Sequence, residues 1–282
     1  MSTFSDLRAT LVRLLHYRTS FVGLLVILGI AVLAVGAPII APRGYAATDP
    51  TSRLLPPSGK YLFGTDTLGR DLFSRIVYGA QIALWVGLLV TFIEAAVGVP
   101  LGIIAGYYGG AVDKAITAVT DMVWAFPPIV LALGVVTVMG AGLTQVVVAI
   151  ALTSWPSFTR ICRAKVASFA DRGFVLAARS IGESDSNIMA RYLLPNLVPS
   201  IIVVSTLVLP AAILYTTALS FLGFGAQPPT PDWGAILADG ASDLSIAPWI
   251  ATFPGVFLVV TALGFNLLGD GLRDILDPKL RI

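Results

Sequence analysis

The chain has 282 residues, 56% of them apolar and 12% charged, about half the roughly 25% charge of a soluble domain. With 18 Lys and Arg against 16 Asp and Glu, the formal net charge is +2. So few charges cannot clothe a water-soluble globule of this size, which excludes an ordinary cytosolic enzyme, a disordered chain and a basic nucleic-acid binder. A single Cys excludes a disulfide framework and a cysteine-built zinc site. What remains is a polytopic α-helical membrane protein.

A helix crossing a hydrocarbon core of about 30 Å needs about 20 residues. The first charge-free run is 19–41, preceded by Arg8, Arg13 and Arg18. It exceeds the apolar region of a signal peptide, and Pro38 and Pro42 make a poor cleavage context, so it reads as a retained first helix. Residues 42–75 are polar and rich in Pro and Gly, an extramembrane segment. The run 76–112 carries one charge, Glu94. The run 122–159 carries none, and Gly140-Ala141-Gly142 divides it into a helical hairpin whose first helix begins near Asp113. The runs 192–231 and 244–269 follow. Pro127-Pro128 and Pro210 are expected to kink or open their helices. The expected fold is all-α with six transmembrane helices. Residues 1–75 form a tail, the first helix and an outer segment; residues 76–282 form a five-helix transmembrane domain.

Lys and Arg set the orientation. With the N-terminus inside, thirteen of the 18 bases fall on inside segments, and the loop between helices five and six carries Asp232, Asp239 and Asp243 but no base. Both termini are therefore expected in the cytoplasm.

The longest cytoplasmic stretch, 160–195, holds six bases and three acids. In it Phe174, Ala177, Ala178 and Ile181 recur at i, i+3, i+4 and i+7, one face of a helix. Gly182 ends that helix, with φ > 0 expected, and Ser184 or Asp185 is placed to cap another. The apolar face must be covered by the chain's own helices, by the lipid surface or by a protein partner.

The string FVLAARSIGESDSNIMARYLLPN, residues 174–196, resembles the cytoplasmic "EAA" loop of ABC-importer permeases. That pattern is Glu-Ala-Ala, three residues, Gly, nine residues, an apolar residue, one more, then Leu-Pro. Ala177, Ala178, Gly182, Tyr192, Leu194 and Pro195 match it, and Leu176 stands where the family usually has Glu. The triplet Glu94-Ala95-Ala96 lacks the Gly and lies within a span. Three more strings, FGTDTLGRDLFSRI (63–76), FLGFGAQPPTPDWGAILADG (221–240) and GDGLRDILDPKL (269–280), resemble the C-type subunit of the dipeptide/oligopeptide (and nickel) permeases.

The resemblance implies a type I ABC importer transmembrane fold in the bacterial inner membrane. The implied partners are a homologous second permease, two ATPase subunits or one double ATPase, and an extracytoplasmic solute-binding protein. ATP and Mg would sit on the ATPases, and this chain would hold no cofactor or metal of its own. Phe174, Ala177, Ala178, Ile181, Gly182, Leu194 and Pro195 are then the positions expected to couple to the ATPases. Peptide is the expected cargo, with nickel or glutathione as alternatives.

The remaining motifs agree with a transport subunit. One His excludes H-E-x-x-H, and neither G-x-S-x-G nor the ATP-binding G-x-x-x-x-G-K-[ST] occurs. An ion channel or proton-coupled carrier would show several intramembrane ionisable groups; Glu94 stands alone. It faces either the translocation path or a neighbouring helix. Gly98, Gly102, Gly106 and Gly110 form a small-residue stripe suited to close helix approach. The five Trp read as interfacial anchors. Asp66, Arg70, Asp71 and Arg75 alternate in sign outside the membrane, either as a docking surface for a substrate-delivering protein or as a salt-bridged cap on the chain's own loops.

Overall fold

The computed structural model describes residues 17–169 and 172–276. Arg8, Arg13 and His16 of the tail, Asp171, and the end of the C-terminal string with Lys279 and Arg281 lie outside these residues. Among the described residues every regular element is helical, apart from one isolated antiparallel bridge between Thr65 and Asp71.

Helix α1 (Arg18–Val35) stops at Gly36, and Pro38 opens the one-turn α2 (Ala37–Ile40). Helix α3 (Leu72–Tyr108) is capped by Asp71, whose carboxylate accepts from the Ser74 backbone N–H at 2.9 Å. It has 37 residues, about 56 Å at 1.5 Å per residue, so its ends project well beyond a hydrocarbon core. Gly109, at φ +62°, ends it.

Helix α4 (Gly110–Trp124) and helix α5 (Pro128–Met139) meet at an 81° bend. The break falls at Pro127-Pro128, as expected: the residue before a proline avoids helical dihedrals, and Pro128 lacks the N–H a continuing helix needs. Pro210, by contrast, is accommodated inside a continuous helix. After the Gly140–Gly142 turn, α6 (Leu143–Ser154) and α7 (Pro156–Ala167) are separated at Trp155. Then come α8 (Gly173–Ser180), α9 (Asp185–Asn187), a π-helical stretch (Ile188–Leu193), α10 (Leu194–Phe221), α11 (Trp233–Ala241) and α12 (Trp249–Leu276).

By length and apolarity, α1, α3, the run Asp185–Phe221 and α12 can each cross a membrane, and the bent α4–α5 pair raises the count to five. The six-span expectation departs from this at the hairpin. Its first arm is broken by the two prolines. Its second arm is a 12-residue α6, about 18 Å long, followed by an α7 carrying Arg160, Arg163 and Lys165.

Helix α3 is the axis of the packing and touches α1, α6, α7 and α10. Its glycine stripe faces α7. A Cβ on Gly98 would lie 2.5 Å from the Trp155 carbonyl oxygen. One on Gly102 would lie 2.6 Å from Cys162 Cβ, and one on Gly106 2.6 Å from the Arg163 carbonyl oxygen. These three therefore serve close contact within the chain, fastened further by Thr159 Oγ1 donating to the Gly98 carbonyl at 3.1 Å, whereas Gly110, the fourth of the expected stripe, begins α4 at φ +53° with nothing within 4 Å of a Cβ. The Trp residues divide. Trp85 and Trp124 are exposed, but Trp233 is buried, donating to the Ile76 carbonyl at 3.0 Å; Trp249 donates to the Thr65 carbonyl at 3.2 Å. These two are anchors of internal packing rather than interfacial anchors.

Candidate functional site

The 172–195 loop is built as a small rigid unit. Helix α8 ends in a paired C-terminal motif: the Gly182 N–H donates to the Arg179 carbonyl at 3.0 Å, and the Glu183 N–H to the Ala178 carbonyl at 3.1 Å. That geometry needs a left-handed residue, and Gly182 has φ +82° with open space around it. Ser184 caps the next helix, accepting from the Asn187 N–H at 3.4 Å.

The expected apolar face splits in two. Ala178 is buried together with Val175, and Phe174 packs beside them, on a core built from α3, α7, Ile188, Leu193 and Leu197. Ala177 and Pro195 are exposed, Leu194 is 37% exposed and Ile181 is 74% exposed. Leu176, at the position where Glu is usual, is 47% exposed. A period of 3.6 marks a face but not which edge of it turns inward. Ala178 and Phe174 hold the loop to its own chain, while Leu176, Ala177 and Ile181 form a bare apolar edge. Val175 and Ile188, the deepest anchors, were not singled out by periodicity; both sit in apolar steps of the same string.

A second fastening lies at the end of α3. The Tyr107 hydroxyl donates to Asp185 Oδ1 at 2.6 Å and accepts from Arg179 Nε at 3.4 Å, and the Arg179 guanidinium sits 4.9 Å from the Tyr107 ring centroid. These residues are 72 and 78 positions apart, and no local pattern links them. Nearby, α4 is tied to α7 by Asp113–Arg163 and Asp121–Arg160 ion pairs.

Glu94 is 1% exposed, inside the α3–α6 contact. Ser154 lies beside its carboxylate. Its Oε2 has no hydrogen-bond partner among the described residues. Of the two sequence expectations for Glu94, the structure places it against a helix of its own chain.

The Asp66, Arg70, Asp71 and Arg75 cluster is also buried, at 0%, 4%, 1% and 3% exposure. Asp66 receives Arg70 Nε at 2.6 Å and Arg75 Nη1 at 2.5 Å, while the Leu68 and Arg70 backbone N–H groups each donate to it at 2.9 Å. Asp239 approaches both guanidinium groups at 3.6 and 3.7 Å, and Arg43 lies 3.7 Å from Asp71. The docking expectation for these four side chains is therefore corrected: each is spent on the interior of a cap. Beneath them Leu72, Ile76, Ile236 and Ile250 form its apolar core.

With this geometry in place, the relatives are informative. The family described as "Binding-protein-dependent transport system inner membrane component" matches residues 98–282, and the "N-terminal TM domain of oligopeptide transport permease C" matches residues 5–57. The chain is 43% identical to the dipeptide transport system permease protein DppC of Alkalihalophilus pseudofirmus, over 94% of this chain and 87% of that one. It is 47% identical to the glutathione transport system permease protein GsiD of Escherichia coli O157:H7, over 80% of this chain and 74% of that one. Two inward-facing structures of the MetNI methionine ABC transporter share the fold, with TM-scores of 0.57 and 0.58 at 18% identity, over 71% of this chain and 95% and 96% of theirs. This chain belongs to the family of ABC-importer permeases, the membrane-embedded components of binding-protein-dependent transport systems. It is a multi-pass protein of the inner membrane.

Proposed function

We propose that this chain forms half of the translocation pathway of an ATP-driven importer of peptides, with both termini cytoplasmic and six crossings, the bent α4–α5 pair and α6–α7 each making one. A homologous permease supplies the other half. Two ATPase subunits, or one double ATPase, bind ATP and Mg, and an extracytoplasmic solute-binding protein delivers the cargo. The observation that carries this reading is the bare apolar edge of Leu176, Ala177 and Ile181 on a helix whose other edge is locked to its own core. A short, rigid, half-anchored helix is suited to fill a groove on a moving partner. Gly182 follows that edge in the chain, and Leu194 and Pro195 are exposed at the other end of the loop. The matched dipeptide permease supports a peptide cargo. The matched glutathione permease supports a second reading, in which the cargo is a modified tripeptide.

The test uses the whole complex in liposomes with its solute-binding protein and radiolabelled dialanine or glutathione as probes. Gly182→Val forces a β-branched residue into left-handed dihedrals, at about 1–2 kcal/mol. Ala177→Trp places bulk on the bare edge. Both should leave insertion and cargo capture intact and abolish ATP-driven uptake. Wild-type uptake by both variants in an intact complex would show that this loop is not the coupling element.

A further inference from the structure

The bare edge of α8 provides contact with a partner, but contact alone does not pass movement to the membrane helices. The buried face of α8 rests on Val175 and Ala178; packed apolar side chains transmit a push across the contact, but their attraction is non-directional and opposes sliding along it less. A hydrogen bond is directional and resists it.

We propose that the Tyr107 hydroxyl is the joint through which movement of the 172–195 loop is passed to α3, and through α3 to α7. This rests on the reading of that loop as the coupling element. Tyr107 is a positioning residue: it touches no cargo and no nucleotide.

Three observations support the assignment. Tyr107 is 7% exposed and holds both halves of the loop at once, Asp185 at the start of α9 by a 2.6 Å bond to a carboxylate and Arg179 at the end of α8 by a 3.4 Å bond and ring stacking. Bonds to charged groups are about twice as strong as neutral ones. Second, Tyr107 lies in the last turn of α3, directly after the seam in which Gly98, Gly102 and Gly106 leave no room for a Cβ against α7. A push delivered at Tyr107 therefore moves α3 and α7 as one body. Third, the loop's other exit, into α10, runs through the π-helical stretch Ile188–Leu193. That winding is rare, and its isolated turns are frequent at functional sites. The loop thus has a side-chain joint onto a tightly seamed helix pair, where Tyr108 also faces Asp185, besides its backbone connections to α7 and, through an irregular winding, to α10.

The test compares Tyr107→Phe, Asp185→Ala, Asp185→Asn and Gly182→Val in the reconstituted complex. ATP hydrolysis and dialanine uptake are measured on the same liposomes. Tyr107→Phe keeps the ring and its stacking on Arg179 but removes the bond to Asp185. The expected result for Tyr107→Phe and Asp185→Ala is near-normal ATP hydrolysis with uptake reduced about tenfold, the factor that one bond to a charged group is worth. The ATP spent per peptide then rises about tenfold. Asp185→Asn keeps an acceptor for the hydroxyl and should restore most of the ratio. A wild-type ratio in both Tyr107→Phe and Asp185→Ala overturns the proposal. So does parallel loss of hydrolysis and uptake, or detachment of the ATPases, because the hydroxyl would then merely maintain the loop's shape. Gly182→Val separates the two levels. If it is impaired while Tyr107→Phe is normal, only the joint is disproved; if both are normal, the loop itself is not the coupling element.

Discussion

Two regions flank the membrane helices and invert the usual arrangement in opposite senses. In the cap formed by residues 43–75 with α11, charged side chains are inside: Asp66, Arg70, Asp71 and Arg75 are all buried, and the carboxylates and guanidinium groups neutralise one another. In the 172–195 loop, apolar side chains are outside: Leu176 and Ile181 are exposed although Val175 and Ala178 close beside them are buried. Burying charge costs several kcal/mol per ion unless it is paired and hydrogen-bonded. Exposing apolar surface costs about 25 cal/mol per Å² and is sustained where a partner covers it. The charges of the cap are thus paired within the chain, while Leu62 and Leu68 stay exposed on it as Leu176 and Ile181 do on the loop.

The largest expected effect is that of Asp66→Ala. It removes the carboxylate shared by two buried guanidinium groups and should destabilise the cap by about 3–5 kcal/mol. Thermal unfolding of the purified chain in detergent, with trypsin cleavage at Arg70 as a local reporter, checks this. An unchanged melting point would mean that the buried charges are not paired as described.

Gly102→Leu tests whether the α3–α7 seam is the rigid element between the two regions. A Cβ there meets Cys162 Cβ at 2.6 Å and the Thr159 carbonyl oxygen at 2.6 Å, so overpacking of about 1–3 kcal/mol is expected. Gly134→Leu, with nothing within 4 Å of its Cβ, is the control and should melt like the wild type.

Within the extramembrane segments two carboxylates titrate in opposite senses. Burial raises the Asp232 carboxyl above the ordinary range, opposed by hydrogen bonds from the Gly234 and Ala235 N–H groups and the Ser220 hydroxyl. A raised carboxyl contributes stability below its unfolded pKa of about 3.9 and loses it as pH rises through the folded value. Asp232→Asn should therefore flatten the pH dependence of melting and match or exceed the wild type at neutral pH. Asp49 is lowered by hydrogen bonds from the Thr51 and Ser52 side chains and the Thr51 N–H. Its contribution is present above the ordinary range and is lost as pH falls through the folded value, so Asp49→Asn should remove stability at neutral pH. Melting curves from pH 3 to 8 resolve the two signs.

The smallest expected effect on stability is that of Ile181→Ser. At 74% exposure, its loss should shift folding by no more than about 0.5 kcal/mol. Pull-down of the ATPase subunits should nonetheless weaken, and an unchanged pull-down would remove Ile181 from the contact.

Much of this architecture is legible in the sequence because its causes are local. Charge-free runs locate the apolar helices, two adjacent prolines locate the bend, and Gly182 supplies the left-handed helix end that its neighbours cannot adopt cheaply. The loop string is readable for the same reason: its spacing is a run of helix, turn and cap signals. What only the tertiary structure decided is the destination of each side chain. Whether Ala177 or Ala178 faces the core depends on the helix's rotation against α3 and α7. Whether Asp66 docks a partner or binds Arg75 depends on the closure of the cap. Whether Glu94 lines a path or meets Ser154 depends on which helix packs on α3. The Tyr107–Asp185 bond spans 78 residues, a contact that exists only once distant apolar faces have packed and brought two unrelated polar groups within reach.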